Sequence, residues 1–303
     1  MSRRLLATLL VVAATAVACG AEDDAADPSS ATTSPATTTP VSAESAATAP
    51  QRIVSLSPSL TEMLYAVGAG EQVVAVDKYS DFPAGTPMTE LSGFKPNVEA
   101  LAELAPDLVV LASDRDGIVD ALETVGIPSL LLPTAPTLED TYEQLSEVGA
   151  VTGHPDEAAA VVATMRDRID ALVAEVPERE APLTYYYELA DDGHSVTSAT
   201  FIGNVLSLAG LVSIADDAPE AAGGYPQLSA EAVLAADPAF VFLAHNDGTT
   251  PTPAELAARP GWGELRAIRD GHVVVLDTDV ASRWGPRVVD LLAAVVAATS
   301  TAT

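Results

Sequence analysis

The side chains in this sequence that are equipped for bond-making chemistry are few, and their spacing argues against a reaction. The four histidines, His154, His194, His245 and His272, are strung along the second half of the chain. A protein-built zinc or manganese site needs about three histidines and a carboxylate converging, and this spacing does not show that convergence. Asp277 and Asp279 form an Asp-x-Asp pair, but Asp and Glu total 43 and such pairs arise by chance. No Gly-x-Ser-x-Gly turn presents a serine nucleophile, and no glycine-rich loop ends in Gly-Lys-Ser/Thr to cradle phosphates. The Gly-Ala-Gly at 68–70 follows a helical stretch rather than a strand, so it is not a dinucleotide fingerprint. With no nucleophile–base pair to name, the chain is not expected to be an enzyme, and neither a resident metal nor a cofactor is expected. The chemistry left is recognition.

Two stretches carry the clearest recognition signal. Residues 97–111, NVEALAELAPDLVVL, and residues 229–243, SAEAVLAADPAFVFL, share one design. Each begins with a capping residue, sets a glutamate two positions later, continues as apolar helix and passes through a proline into a short apolar strand. Glu99 and Glu231 stand 132 positions apart, and Pro106 and Pro238 keep the same offset. A glutamate in the first turn stabilises the helix macrodipole by about 0.3–1 kcal/mol with no partner at all. From the residues alone the pair is either local helix support or two matched contact points.

The elements that must position these residues alternate between strand and helix. Strands are expected in RIVSLS (52–57), EQVVAVD (71–77), residues 107–112 and PSLLLP; helices in SLTEMLYAVGAG, with Glu62 in its first turn, in 97–105, in GIVDALETVG and in LEDTYEQLSEVGAVTG. Next comes a run with apolar residues at Val161, Val162, Met165, Ile169, Leu172, Val173 and Val176, the spacing of a long helix, with Pro155 at its start and Pro177 at its end. The alternation then restarts: strand 183–189, helices in TFIGNVLSLAGL and AEAVLAAD, strand AFVFLA, helix WGELRAIRDG, strand HVVVLD and a final helix GPRVVDLLAAVVAAT, too short for a membrane span. Residues 61–69 echo 202–210, with Gly68 matching Gly210. The expected fold class is α/β: two Rossmann-like lobes with parallel-rich sheets, 51–155 and 178–303, joined by one long interdomain helix at 156–177.

Composition narrows the partners. A formal net charge of −29 excludes a nucleic-acid surface, which needs a basic face, and disfavours adsorption to anionic lipid. Residues 1–19 read as a secretory leader: Arg3 and Arg4, an apolar run, then small residues before Cys19. The stretch AVAC resembles the bacterial lipobox, with Ala16 in place of the usual leucine; an ordinary cleavage site beside an incidental cysteine is the alternative. Cys19 is the sole cysteine, so there is no disulfide framework, and the resemblance implies that it is lipidated. Residues 20–50 are Ser, Thr, Ala, Pro and acid, a composition expected to be a disordered tether.

RIVSLSPSLTEMLYAVGAGEQVVAVDKYSDFP, NVEALAELAPDLVVL and YPQLSAEAVL together resemble the substrate-binding proteins of ABC importers for vitamin B12, ferric siderophores and haem, over about 52–297. The resemblance implies two lobes facing across a cleft, hinged by a single helix that limits closure. It implies that Glu99 and Glu231 dock onto the two subunits of an ABC permease, a two-fold partner suited to a duplicated ligand carrier. It further implies an extracytoplasmic protein, lipid-anchored to the bacterial cell membrane and monomeric, that takes a cobamide or, alternatively, a ferric siderophore or haem. A surface structural or adhesive lipoprotein that merely kept the fold is the rival reading.

In α/β sheets ligands sit beyond the carboxyl ends of the strands. Those ends carry Ser57, Tyr79 within 77–81, Phe94, Arg115, Glu188, His245 and the stretch from Asp279 to Trp284. Aromatic residues make up 5% of the chain, so their placement matters. Tyr79, Phe94 and Tyr225 match positions at which the vitamin B12 binders use aromatic residues, and three flat side chains suit a large planar ring; packing beneath loops is the alternative for each. Arg283 and Trp284 are further lining candidates, the arginine either meeting a ligand acid group or standing solvated in a turn. His245 either touches ligand or is a hydrogen-bonded cleft residue. Trp262 is expected to pack beneath the preceding helix.

Overall fold

The computed structural model describes residues 49–218, 222–245 and 249–300. The leader, Cys19 and all but the end of the stretch 20–50 lie outside the described residues, as do residues 246–248 after His245.

Among the described residues, short runs of β-branched and aromatic residues form eight parallel strands in two four-stranded sheets. In the first, β1 (Ile53–Ser55), β2 (Val73–Val76), β3 (Leu108–Leu111) and β4 (Ser129–Leu131) take the order β2-β1-β3-β4. They alternate with α1 (Pro58–Ala66), α2 (Val98–Glu103), α3 (Ile118–Thr124) and α4 (Leu138–Thr152). Helix α5 (Pro155–Ala174) follows. In the second sheet, β5 (Leu183–Glu188), β6 (Leu211–Ser213), β7 (Phe240–Leu243) and β8 (Val273–Val275) repeat that order as β6-β5-β7-β8. Around it lie α6 (Phe201–Leu208), α7 (Ala230–Ala236), α8 (Pro253–Ala257), α9 (Arg266–Arg269), α10 (Thr278–Ser282) and α11 (Val288–Thr299). The central strands β3 and β7 are buried at every position, as expected for a parallel sheet covered on both faces. Two Rossmann-like α/β lobes are therefore present.

The duplication extends to backbone detail. Asn97 and Ser229 cap α2 and α7, each side chain accepting the backbone N–H three residues on, from Ala100 and Ala232. Both helices end through a left-handed residue before the proline, Ala105 (φ 45°) and Asp237 (φ 40°). The following proline bars the right-handed region there, which fits a helix stop. An alanine in this region is strained, and Arg52 compensates by donating to the Ala105 and Leu104 carbonyls at 3.0 and 2.8 Å.

Helix α4 starts from a capping box between Thr137 and Asp140, and α5 begins only three residues after α4 ends. The two pack so closely that a Cβ on Gly149 would sit 2.4 Å from the Ala158 Cβ, so only glycine fits. At ~1.5 Å per residue the 20 residues of α5 span about 30 Å. Of the expected apolar stripe, Met165 and Ile169 are buried, whereas Val173 is exposed. Helix α5 packs on α4 of the first lobe and α11 of the second.

Several boundaries differ from expectation for local reasons. Helix α1 begins at Pro58, so Glu62 lies beyond its first turn and is not a dipole partner. The expected helix over WGELRAIRDG splits into a 3₁₀ turn at Trp262–Glu264 and α9, because Leu265 between them is extended (ψ 137°). Strand β6 and helices α8 and α10, three to five residues each, are too short for periodicity to reveal. Trp262 is buried and packs edge-on against Tyr186, 5.8 Å between centroids. Each sheet has an outer apolar cluster of its own, but the inner one is continuous from Ile53 and Leu64 through Met165 and Ile169 to Phe242 and Val296.

Candidate ligand cleft and docking surface

The loop after β2 is organised from beneath. Asp77, Ser80, Thr61 and Ser55 are all buried. The Asp77 carboxylate accepts the Ser80 hydroxyl at 2.7 Å and the Tyr79 N–H at 3.3 Å. The Thr61 hydroxyl lies 2.8 Å from that of Ser55 and 3.1 Å from that of Ser80. This small polar net holds the loop so that Tyr79 points outward, 46% exposed. Phe94, 62% exposed, meets it edge-to-face at 5.9 Å and 83°. Gly93 makes that meeting possible: a Cβ there would fall 2.1 Å from the Leu56 carbonyl oxygen, so only glycine lets the backbone lie against the end of β1. Ser57 is buried at the turn from β1 into α1, its carbonyl accepting the Thr61 N–H at 2.8 Å.

Cations flank the aromatic pair. The Lys78 ammonium stands 5.0 Å from the Tyr79 ring centroid and the Arg115 guanidinium 5.3 Å from that of Phe94.

The second lobe reaches this loop through residues 279–287. Arg283 is buried; it donates to Glu62 at 3.0 Å, to Asp81 at 2.9 Å and to the Tyr79 carbonyl at 3.2 Å, and pairs with Asp279 at 2.7 Å. Arg287 donates twice to Glu62, at 3.0 and 2.6 Å, and lies 4.0 Å over the Phe82 ring. Glu62 is buried on the first lobe and so holds two arginines of the second. Burial opposes the charge on Arg283, but Glu62, Asp81 and Asp279 outweigh it and its pKa is raised. The Asp279 carboxyl is pushed up chiefly by burial, with Arg283 pulling the other way. Trp284 donates its indole N–H to Gln144 at 3.0 Å and its backbone N–H to Ser59 at 3.3 Å.

The sequence candidates therefore separate into two groups. Tyr79 and Phe94 form one exposed pair, which Arg283 reaches through the Tyr79 carbonyl, while Trp284 is held apart by Gln144 and Ser59. Arg283 is not solvated: it is buried, with Nη1 on Glu62 and Nη2 on Asp81, Asp279 and the Tyr79 carbonyl. Tyr225, beside Gly224 on the second lobe, is half-buried against the inner core, and burial raises its phenol pKa. His245 is sealed below the surface, its Nε2 2.9 Å from Glu188, which is itself clamped by Arg259 at 2.6 and 2.9 Å. No group of three or more His, Cys, Asp or Glu residues is arranged to hold a metal ion among the described residues. Glu62 and Arg287 escaped sequence reasoning, although a signal was present: a carboxylate set among Leu60, Met63 and Leu64, and two arginines four apart at 283 and 287.

Glu99 and Glu231 are both exposed in the first turns of α2 and α7. The Glu231 carboxylate is held below the usual range by its own backbone N–H and then by the Ser229 hydroxyl. A groove of about 460 Å³ beside Glu231 is lined by Asp191, Asp192 and Arg259, and one of about 310 Å³ lies along α2 at Glu90, Asn97 and Glu103.

A family model described as periplasmic binding protein matches residues 53–280. A cobalamin-binding protein of Halobacterium salinarum is 31% identical over 253 residues, covering 80% of this chain and 68% of that protein. A vitamin B12-binding protein of Pectobacterium carotovorum is 30% identical over 259 residues, covering 82% and 88%. Among solved structures, a periplasmic haem-binding protein of Pseudomonas aeruginosa superposes with a TM-score of 0.71 at 28% identity, covering 84% of this chain and 94% of that one.

Proposed function

The chain belongs to the periplasmic binding protein family, and from that membership we propose that it captures a cobamide-like planar ligand for an ABC importer. The observation that carries this reading is the Tyr79–Phe94 pair. Two large aromatic side chains held outward, in a chain with 5% aromatic residues, lose the benefit of burial unless something flat covers them. The polar net under Tyr79 and the obligatory Gly93 under Phe94 both maintain that presentation. Tyr225 and Trp284 supply further flat surface from the second lobe. The relatives named for cobalamin and vitamin B12 favour a corrinoid.

In this reading the loaded protein meets the two permease subunits through Glu99 and Glu231, exposed at equivalent places in the two lobes. The protein works outside the cytoplasm as a monomer held to the membrane by lipid on Cys19. Titrating the purified protein with cyanocobalamin, read by calorimetry and by tryptophan fluorescence, tests the cargo: saturable binding at micromolar concentration or below is expected, and no response overturns the corrinoid assignment. Haem is the second reading, favoured by the Pseudomonas aeruginosa relative, and haemin is the parallel probe. In that case iron ligation by His245 is not expected, because its ring is buried against Glu188.

A further inference from the structure

The chain is strongly acidic, and its few cations are mostly spoken for. Arg166, Arg168, Arg259, Arg283 and Arg287 are each paired with a carboxylate, while Arg52 and Arg179 donate to backbone carbonyls. Of the remaining cations among the described residues, Arg266 and Arg269 lie on α9 and Lys95 lines the groove along α2. That leaves Lys78 and Arg115. Lys78 is one of only two lysines in the sequence. Both side chains are exposed, and both stand over the rings of the exposed aromatic pair. The result is one strip: ammonium, phenol ring, phenyl ring, guanidinium, with the two rings in contact at 5.9 Å.

We infer that Lys78 and Arg115 read an acid group at the rim of the planar ligand that Tyr79 and Phe94 support, so the cargo is a macrocycle carrying a phosphodiester or carboxylate. This rests on the macrocycle reading above. A formal charge of −29 repels an anion at long range, but within a Debye length of about 8 Å the nearest charges decide. A guanidinium matches a carboxylate or phosphate with two parallel hydrogen bonds, and an ammonium supplies a point charge. Arg283, the arginine that the sequence offers for this task, is buried and already paired with Glu62, Asp81 and Asp279. Contact with the rings holds the two cations within about 5 Å of the aromatic pair, so little ordering is left to be done when an acid group arrives with a ligand seated there.

The test pairs ligands with and without the acid group. Calorimetric titration of the purified protein compares cyanocobalamin with dicyanocobinamide, which lacks the phosphodiester together with the ribose and benzimidazole it carries, and haemin with its dimethyl ester, in which only the two acid groups are masked; the variants below assign the preference to the acid. The acid-bearing member of the pair that binds is expected to win by about fivefold or more, and that preference is expected to shrink as salt rises. In Lys78→Ala/Arg115→Ala the preference falls below about twofold. The charge-keeping swap Lys78→Arg/Arg115→Lys retains it, and so does Arg266→Ala/Arg269→Ala, which removes the same total charge elsewhere. Equal affinity for both members in the wild-type protein, or an undiminished preference in the double alanine variant, overturns the inference while leaving macrocycle capture intact. Failure to bind any of the four ligands overturns macrocycle capture itself, and the inference with it.

Discussion

Glu62 on the first lobe and Arg283 on the second stand 221 positions apart in the sequence and meet at 3.0 Å, both buried. Arg287 closes on the same carboxylate from the residue just before α11. One side chain of the first sheet's opening helix thus fastens the segment that carries Trp284 to the loop that carries Tyr79.

Glu62→Ala leaves two buried or half-buried guanidiniums without their shared partner. Breaking a buried pair by removing one member costs roughly 3–5 kcal/mol, and Asp81 and Asp279 remain to receive Arg283, so a loss of about 3 kcal/mol is expected. For a domain of this size that lowers Tm by roughly 6–12 °C. Arg283→Ala should cost less, because Glu62 keeps Arg287. Thermal unfolding of the two variants gives the order directly, and an unchanged Tm for Glu62→Ala contradicts it.

Phe94→Ala should separate binding from packing. At 62% exposure the ring contributes little to the core, and unfolding free energy should move by no more than about 0.5 kcal/mol. Affinity for the planar ligand should fall about tenfold, equivalent to roughly 1.4 kcal/mol. Urea unfolding and calorimetric titration of the same preparation read the two quantities.

Gly93→Ala should behave differently from Phe94→Ala. Its Cβ would enter the Leu56 carbonyl oxygen, so the loop must shift and both stability and affinity should drop. Comparison of the two neighbouring variants shows whether the aromatic pair depends on that close approach.

Glu99→Ala combined with Glu231→Ala should abolish ligand uptake by cells while leaving affinity in solution unchanged. Each substitution removes only a solvent-exposed helix-dipole partner, too weak a contribution for its loss to unfold the protein. Uptake at the wild-type rate would remove the docking role from both residues.

Glu231 should remain ionised at lower pH than an ordinary glutamate, since its own backbone N–H and the Ser229 hydroxyl stabilise the charged form. With a folded-state pKa below the unfolded one, the small stability it contributes is present above the unfolded pKa and lost as pH falls through the folded value. Ser229→Ala should move the titration upward, which carboxyl NMR would detect.

Much of the architecture was readable because buried parallel strands are apolar at every position, as in LVVL at 108–111 and FVFL at 240–243. The repeated strand order followed from two copies of one pattern, down to the cap–Glu–Pro spacing around Glu99 and Glu231. What stayed hidden depends on tertiary proximity. Nothing local to Arg283 says that Glu62 lies beside it, since their separation in sequence carries no periodic signal. His245 looked like any polar residue at a strand end, and its burial is set by Glu188 and Arg259, contributed by two other segments. Strand β6 needed Gly210 to end α6 in a left-handed turn before three residues could join the sheet.

The inner apolar cluster that runs unbroken from Ile53 to Val296 has a consequence for how the molecule comes apart. Two halves built on one template would be expected to melt as separate bodies, yet each now completes its interior with atoms from the other and from the strut between them. Heating should therefore yield a single calorimetric transition whose van't Hoff and calorimetric enthalpies agree, and either half expressed alone should expose greasy surface and precipitate.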